Sequence, residues 1–337
     1  MEIERPYLLF LGDVHDQLAA KTAQGVVDWR PDWCTGQMRL EGCQADTGLA
    51  DMSIDEAVAA GARTMVVGVV NSGGVLPDHW ISEVVKAIEA GMNVATGLHK
   101  RMSSVPEIAT AAEKHGAKLH DVRFSDVAFN TGKGTKRSGK RILAVGTDCS
   151  VGKKYTALAL DQEMQKRGMK SDFRATGQTG VLISGRGIAL DAVVADFISG
   201  AAEWISPAND DDHWDCVEGQ GSLFHPAFAG VSLGLLHGSQ PDAFVVCHEP
   251  TRTNMRGVEH PLPTIQQVID RNIEDGSLTN PDIQCVGICV NTQKLSDTEA
   301  KDYLAKLESK YGLPCVDPIR TGMAPIVDEI QKRFPSS

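Results

Sequence analysis

An α/β protein of two domains is what the sequence predicts, an N-terminal Rossmann-like domain followed by a phosphate-loop domain built on a parallel sheet. Three observations predict it. Short β-branched runs alternate with helix-length amphipathic stretches along the chain. A glycine turn followed by lysine stands between a strand pattern and a helix pattern near residue 150. Residues 130–140, NTGKGTKRSGK, hold glycines, a serine and several basic residues without a hydrophobic one, as an exposed linker does. A length of 337 residues suits two cores, so the division expected is 1–134 and 135–337.

In the first part the expected strands are YLLFLG (7–12), TMVVGVV (64–70), NVATGL (93–98) and KLHDV (118–122). Helices are expected at 53–61, 78–91 and 104–116, each closed by glycine. Ser53 three residues before Glu56, and Asp78 after Pro77, are helix-start signals. After the linker, strands are expected at 141–146, 169–175, 214–219, 242–247, 283–290 and 313–317. Helices fit at about 152–167, 188–199, 261–272, 297–311 and 324–333. ISPANDDDH (205–213) reads as a solvated acidic loop.

The bulk numbers exclude several classes. A net charge of −11 argues against a nucleic-acid-binding face, which needs a basic surface. No apolar run is long enough to span a bilayer, and the start MEIERPYLLFLGD lacks the basic head of a signal peptide. The eight cysteines include no C-x-x-C pair and several lie in strand-like runs, which suits reduced thiols in a cytoplasmic protein. A homo-oligomer is expected, as for many cytoplasmic α/β enzymes.

The strand RILAVG runs into GTDCSVGKKYT (146–156) and then into the helix pattern ALALDQEMQKRG. Glycines let successive amides converge on an anion, the helix N-terminus adds its positive end, and Lys153 supplies a point charge. Gly146, Thr147, Cys149, Ser150, Val151, Gly152, Lys153, Lys154 and Tyr155 are therefore the cofactor-binding candidates. Two departures from the usual pattern matter. Five residues separate Gly146 from Gly152 where four are usual, and Lys154 stands where a serine or threonine normally holds Mg²⁺. Thr156 lies two positions on, facing elsewhere on the helix. A phosphate-bearing cofactor bound without a metal fits this loop better than metal-assisted phosphoryl transfer.

GTDCSVGKKYTALAL resembles the loop of dethiobiotin synthetases, G-T-D-x-x-V-G-K-[ST]. VEGQGSL (217–223) resembles their V-E-G-A-G-G segment, and VNTQK (290–294) their base-binding V-N stretch, which adds Asn291 to the cofactor candidates. A closer resemblance is to a two-domain family long labelled as a domain of unknown function and linked to D-glutamate N-acetyltransferase. It rests on KTAQGVVDWRPDWCTGQMR (21–39), GVVNSGGVLPDHW (68–80), GLHKRM (97–102), HDVRF (120–124), the GTDCSVGKK loop, RATGQTG (174–180), VEGQGSLFHP (217–226) and LLHGSQPDAFVVCHEPTR (235–252). That resemblance implies acetyl transfer from acetyl-CoA to the amine of D-glutamate, with no metal expected.

Such a reaction needs a proton acceptor for the ammonium, a donor for the thioester oxyanion and cations for the carboxylates. Glu218 should end a strand, where ligands of open α/β sheets gather, and is either catalytic or a turn-stabilising carboxylate. His225 is a candidate base or a plain loop histidine. His248 and Glu249 follow the strand DAFVVC with Arg252 close behind, a catalytic and substrate-binding cluster or a structural ion pair. Asp148 either positions loop amides or faces the reacting groups. Arg174, Gln178 and Thr179 form a substrate-binding candidate group after a strand, Arg174 holding a carboxylate or lying on the surface. Asn71 follows a strong strand and either cups an anion or is ordinary loop chemistry. Two other readings stay open: a Mg-ATP-dependent ligase or kinase like dethiobiotin synthetase, and a nucleotide-binding regulator without chemistry of its own.

Overall fold

The structure, a computed structural model, describes residues 3–69 and 76–335. It divides into two compact units, Met1–Asp126 with Gly177–Ala192, and Val127–Thr176 with Val193–Ser337. The first break thus falls eight residues before the expected one, and a short segment from the expected second domain, Gly177–Ala192, counts with the first unit.

In the first unit β1 (Tyr7–Gly12) is the switch point of the sheet. The chain winds outward on one side to β2 (Cys34–Arg39), and on the other to β3 (Thr64–Val67), β4 (Asn93–Thr96) and β5 (Leu119–Asp121). All pairings are parallel, and residues Tyr7 to Leu11 are fully buried, as expected of a strand covered on both faces. Helices α1 (Lys21–Trp29), α2 (Ile54–Ala59), α3 (Asp78–Glu89) and α4 (Pro106–His115) complete the unit with α6 (Gln178–Ser184). Ser53 and Glu56 close a capping box on α2, and α3 begins at Asp78. The expected strand TMVVGVV stops at Val67, and Asn71 lies outside the described residues.

The second sheet runs β11 (Cys315–Val316), β10 (Gln284–Val290), β9 (Ala243–His248), β6 (Lys140–Gly146), β8 (Trp214–Val217), β7 (Ser171–Arg174), again all parallel. β6 sits centrally, and α5 (Lys153–Lys166) leaves its C-terminal end. Register aligns Gly146 with Cys247, and His248 with Val290, so three strand ends open at one edge of the sheet. The remaining helices are α7 (Ile198–Ile205), α8 (Ala229–Ser239), α9 (Ile265–Gly276), α10 (Asp297–Tyr311) and α11 (Ala324–Arg333). No described helix is long and apolar enough to cross a membrane. All eight cysteines are unpaired, and burial pushes the thiols of Cys216, Cys247, Cys285 and Cys289 upward, leaving them unreactive.

The expected helix at 188–199 is instead two short turns, Leu190–Ala192 and Ala195–Phe197, before α7. The linker reading also needs correction. Arg137 donates to the carbonyls of Ser206 and Gly238, so part of the basic stretch is docked. Next to it Arg141 is wholly buried, and among the described residues no carboxylate forms an ion pair with its guanidinium. Its nitrogens donate instead to the carbonyls of Ser206, Arg137, Gly139, Ser138 and Pro207, at 2.8–3.4 Å. Arg141→Met removes every one of those donors while keeping the apolar stem. It should cost on the order of 3 kcal/mol in urea unfolding, as for buried acceptors left without partners; a change within experimental error would mean the carbonyls find other donors.

Candidate phosphate-binding site

Between Gly146 and α5 the Thr147 amide pairs with the Cys247 carbonyl, and beyond it the chain folds back so that the carbonyls of residues 148–150 are bound by the protein and the amides are not. Lys153 Nζ donates to the Asp148 carbonyl at 2.7 Å, and Arg252 donates to those of Cys149 and Ser150 at 2.7 and 3.3 Å. Among the described residues, none of the amides of 148–152 donates a hydrogen bond to the protein. Buried amides are almost always paired, so a row of unpaired ones at a helix N-terminus is an anion cradle. Gly146 and Gly152 are required for different reasons. A Cβ on Gly146 would come within 2.8 Å of Val151, and Gly152 has φ +108°. Ser150 takes φ +54° without being glycine. Lys153 is buried, and desolvation lowers its pKa despite the nearby Asp148 carboxylate.

Asp148 ties the loop to the segment after β9. Its Oδ2 accepts from Arg252 Nη1 at 2.5 Å and from the Arg256 amide at 2.8 Å, while its Oδ1 is buried without a hydrogen bond. Arg256 Nη1 also donates to Ser150 Oγ at 2.7 Å. His248, at the end of β9, joins Thr147 Oγ1 through Nδ1 at 3.2 Å and Tyr303 through Nε2 at 3.1 Å. Burial pushes its pKa down to about 4, Glu249 opposing the shift, so the imidazole is neutral at physiological pH. Glu249 itself is raised by burial, but the Thr251 hydroxyl and amide, with Lys294 and Arg252, outweigh this and hold it below the usual carboxylate range. Asn291, at the end of β10, donates its amide to the His248 carbonyl, and a Cβ on Gly152 would lie 4.0 Å from its own Cβ.

Magnesium coordination of the usual kind does not fit here. Lys154 occupies the hydroxyl's place, and Thr156 is buried with its hydroxyl against the Cys247 thiol at 3.3 Å. Asp148, Cys149 and His225 bring one ligand atom each within 4.8 Å of the others. That set does not suit a cation either, since two guanidiniums stand beside it and the imidazole of His225 is engaged at both nitrogens.

Comparison with known proteins agrees with this geometry. A family model described as a Rossmann-like domain of unknown function (DUF1611_N) matches residues 38–125, and its P-loop companion (DUF1611) matches residues 128–327. The chain belongs to the DUF1611 family. A D-glutamate N-acetyltransferase of Tritonibacter scottomollicae is 54% identical to it over 329 residues, covering 97% of this chain and 99% of the relative. One of a Pseudoalteromonas species, with the same name, is 53% identical over 328 residues and covers the same shares. The crystal structure of a DUF1611 family protein from Anabaena variabilis superposes with a TM-score of 0.85 at 29% identity, covering 97% of this chain and 99% of that one. The expected Rossmann-like and phosphate-loop architecture, and the resemblance on which it was extended, are thereby borne out.

In this DUF1611 chain the expected site residues separate into three groups. Asp148, Lys153, His248, Glu249, Arg252 and Asn291 gather around the phosphate loop, although Arg252 and Glu249 have their charges engaged with the loop and with each other. Glu218 accepts the Thr176 amide at 3.0 Å and takes the turn-stabilising role, its carbonyl accepting from the Thr176 hydroxyl. His225 donates from Nε2 to the Arg256 carbonyl and accepts the Ala227 amide at Nδ1, which leaves no lone pair for a proton. Arg174 is not poised for a ligand, because Asp215 and Asp172 hold its guanidinium at 2.8 and 3.2 Å. Gln178 and Thr179 count with the first unit, where Thr179 meets Thr22 at 3.2 Å. Arg256 and Tyr303 escaped sequence reasoning. Arg256 carried a signal, a second arginine four residues after Arg252 behind a strand end; Tyr303, in mid-helix, carried none.

The depressed His248 pKa has a measurable consequence. The unfolded chain takes up this proton near pH 6.5 and the native protein only near 4, so stability falls as pH drops through that window. Between pH 7 and pH 5 the native protein should lose about 2 kcal/mol more than a His248→Gln variant. Parallel pH–stability curves for the two proteins would contradict a neutral buried imidazole.

Proposed function

We propose that this chain transfers the acetyl group of acetyl-CoA to the amine of D-glutamate. The observation that carries the reading is the phosphate loop: free amides and two consecutive lysines, in a place where the magnesium-binding hydroxyl is missing. A diphosphate held by amides and ammonium groups alone suits a cofactor whose phosphates are a handle and not the reacting centre. The names of the relatives at 53–54% identity supply the reaction and its acceptor.

In the reaction the deprotonated amine attacks the acetyl carbonyl carbon. The carbon–sulfur bond then breaks, CoA leaves as thiolate, and the ammonium proton must have gone to a base. His248 is the group assigned that proton: burial keeps it neutral, and its two partners, unlike those of His225, are hydroxyls of Thr147 and Tyr303 that can turn and release a ring lone pair. Gly146, Thr147, Cys149, Ser150, Val151 and Gly152, with Lys153, Lys154 and Tyr155, hold the diphosphate, and Asn291 stands beside them for the base of the nucleotide.

Purified protein with acetyl-CoA should release free thiol with D-glutamate and far more slowly with L-glutamate. Absence of release with any amino acid, together with magnesium-stimulated ATP turnover, would transfer the chain to the ligase or kinase class. Lys153→Ala should weaken acetyl-CoA binding by about 2 kcal/mol, the worth of a charge-assisted hydrogen bond. Titration calorimetry reads this directly, and an unchanged Kd removes the loop from the cofactor site.

A further inference from the structure

We infer that Arg256 is a phosphate-binding arginine, which leaves the Ser150 hydroxyl to pair with the diphosphate held in the loop. This rests on the reading above and adds to it a residue for which the sequence motifs assign no role. The backbone of Arg256 is fixed at both ends. Its amide donates to Asp148 Oδ2 at 2.8 Å and its carbonyl accepts from His225 Nε2 at 3.0 Å. Its side chain is exposed, and its guanidinium reaches over the loop to Ser150 Oγ at 2.7 Å. An arginine with an anchored main chain and a solvent-facing head beside unpaired amides is placed for an incoming anion.

The contrast with Arg252 supports the assignment. Arg252 holds the Asp148 carboxylate and two loop carbonyls, so moving it would dismantle the loop. Arg256 has exchanged nothing comparable: its partner is one neutral hydroxyl, weaker than a phosphate oxygen as an acceptor for a guanidinium. Ser150 sits in the left-handed region, and the Arg256 contact helps to keep it there until a phosphate takes over the loop's donors. Asp148 and His225, both buried, are then positioning residues that act through the Arg256 backbone.

The test uses the full chain and an Arg256→Gln variant, with inorganic diphosphate as the first probe because its binding does not depend on acetyl transfer. The variant should keep the wild-type melting temperature and bind diphosphate about tenfold or more weakly, as expected for loss of one charge-assisted pair. Acetyl-CoA and its 3′-dephospho form should weaken by the same factor, whereas turnover with acetyl-pantetheine, which has no phosphate, should be unaffected. Undiminished diphosphate affinity overturns the inference, as does a loss confined to the 3′-phosphorylated donor or an equal loss with acetyl-pantetheine. Arg256→Lys should restore part of the diphosphate affinity; a lysine variant as weak as the glutamine one also overturns it. Failure of the wild-type protein to release thiol while the diphosphate result holds would instead count against the acetyl-transfer reading alone.

Discussion

The amides and carbonyls of a tight loop cannot all face one way, and the site depends on which set the protein claims. Here Lys153 and Arg252 take the carbonyls of residues 148–150, and Asp148 ties the same loop to the segment after β9. With the acceptors occupied from outside, the donors are left pointing at whatever ligand arrives. The cradle is thus preorganised by side chains already engaged with the loop, Arg252 above all, so the cost of ordering it is met before binding. The same bolt explains why the strand ends matter: β6 and β9 are hydrogen-bonded neighbours, so Asp148 and Arg252 meet without any long excursion.

Close backbone approach is the second constraint. A Cβ on Gly219 would lie 1.7 Å from the Ala144 carbonyl and 3.0 Å from Lys153 Cδ, so the turn after β8 is pressed against the strand carrying the loop and packs the lysine stem. Gly238 plays the same part farther out, where a side chain would collide with the Ser199 carbonyl of α7 at 2.2 Å. These contacts are satisfied by the residue with no side chain, and no larger one can replace it without moving a strand or a helix.

Much of the fold was legible because its strands are covered on both faces. YLLFLG, RILAVG, AFVVC and IQCVGICV are continuous apolar runs, and each is a strand within a residue or two of its expected bounds. CTGQMR is an edge strand with one buried apolar side chain, Met38, and offered no such pattern. α8 was hidden by Gly230, Gly234 and Gly238, which read as breakers in sequence, although Gly234 and Gly238 serve close packing against α7 in space. Within the site, local signals worked: the loop, His248 and Asn291 all lie at strand ends. What sequence could not convey was pairing across long separations. Arg174 looks like any loop arginine until Asp215 is seen beside it, and the buttressing of Asp148 needs residues about a hundred positions away.

The order in which the chain emerges during synthesis acquires a constraint from the segment Gly177–Ala192. The chain leaves the first unit after Asp126, returns to it at Gly177 and leaves again after Ala192. Its Rossmann-like sheet can therefore be translated in full while the unit still lacks α6, whose contribution arrives only after β6, α5 and β7 have been made. A nascent chain in that interval holds the first unit without its last segment and only part of the second, so completing the first unit waits on synthesis of the start of the second. For the same reason no single cut separates them: a fragment beginning at residue 127 carries a helix belonging to the other unit, with its buried face exposed.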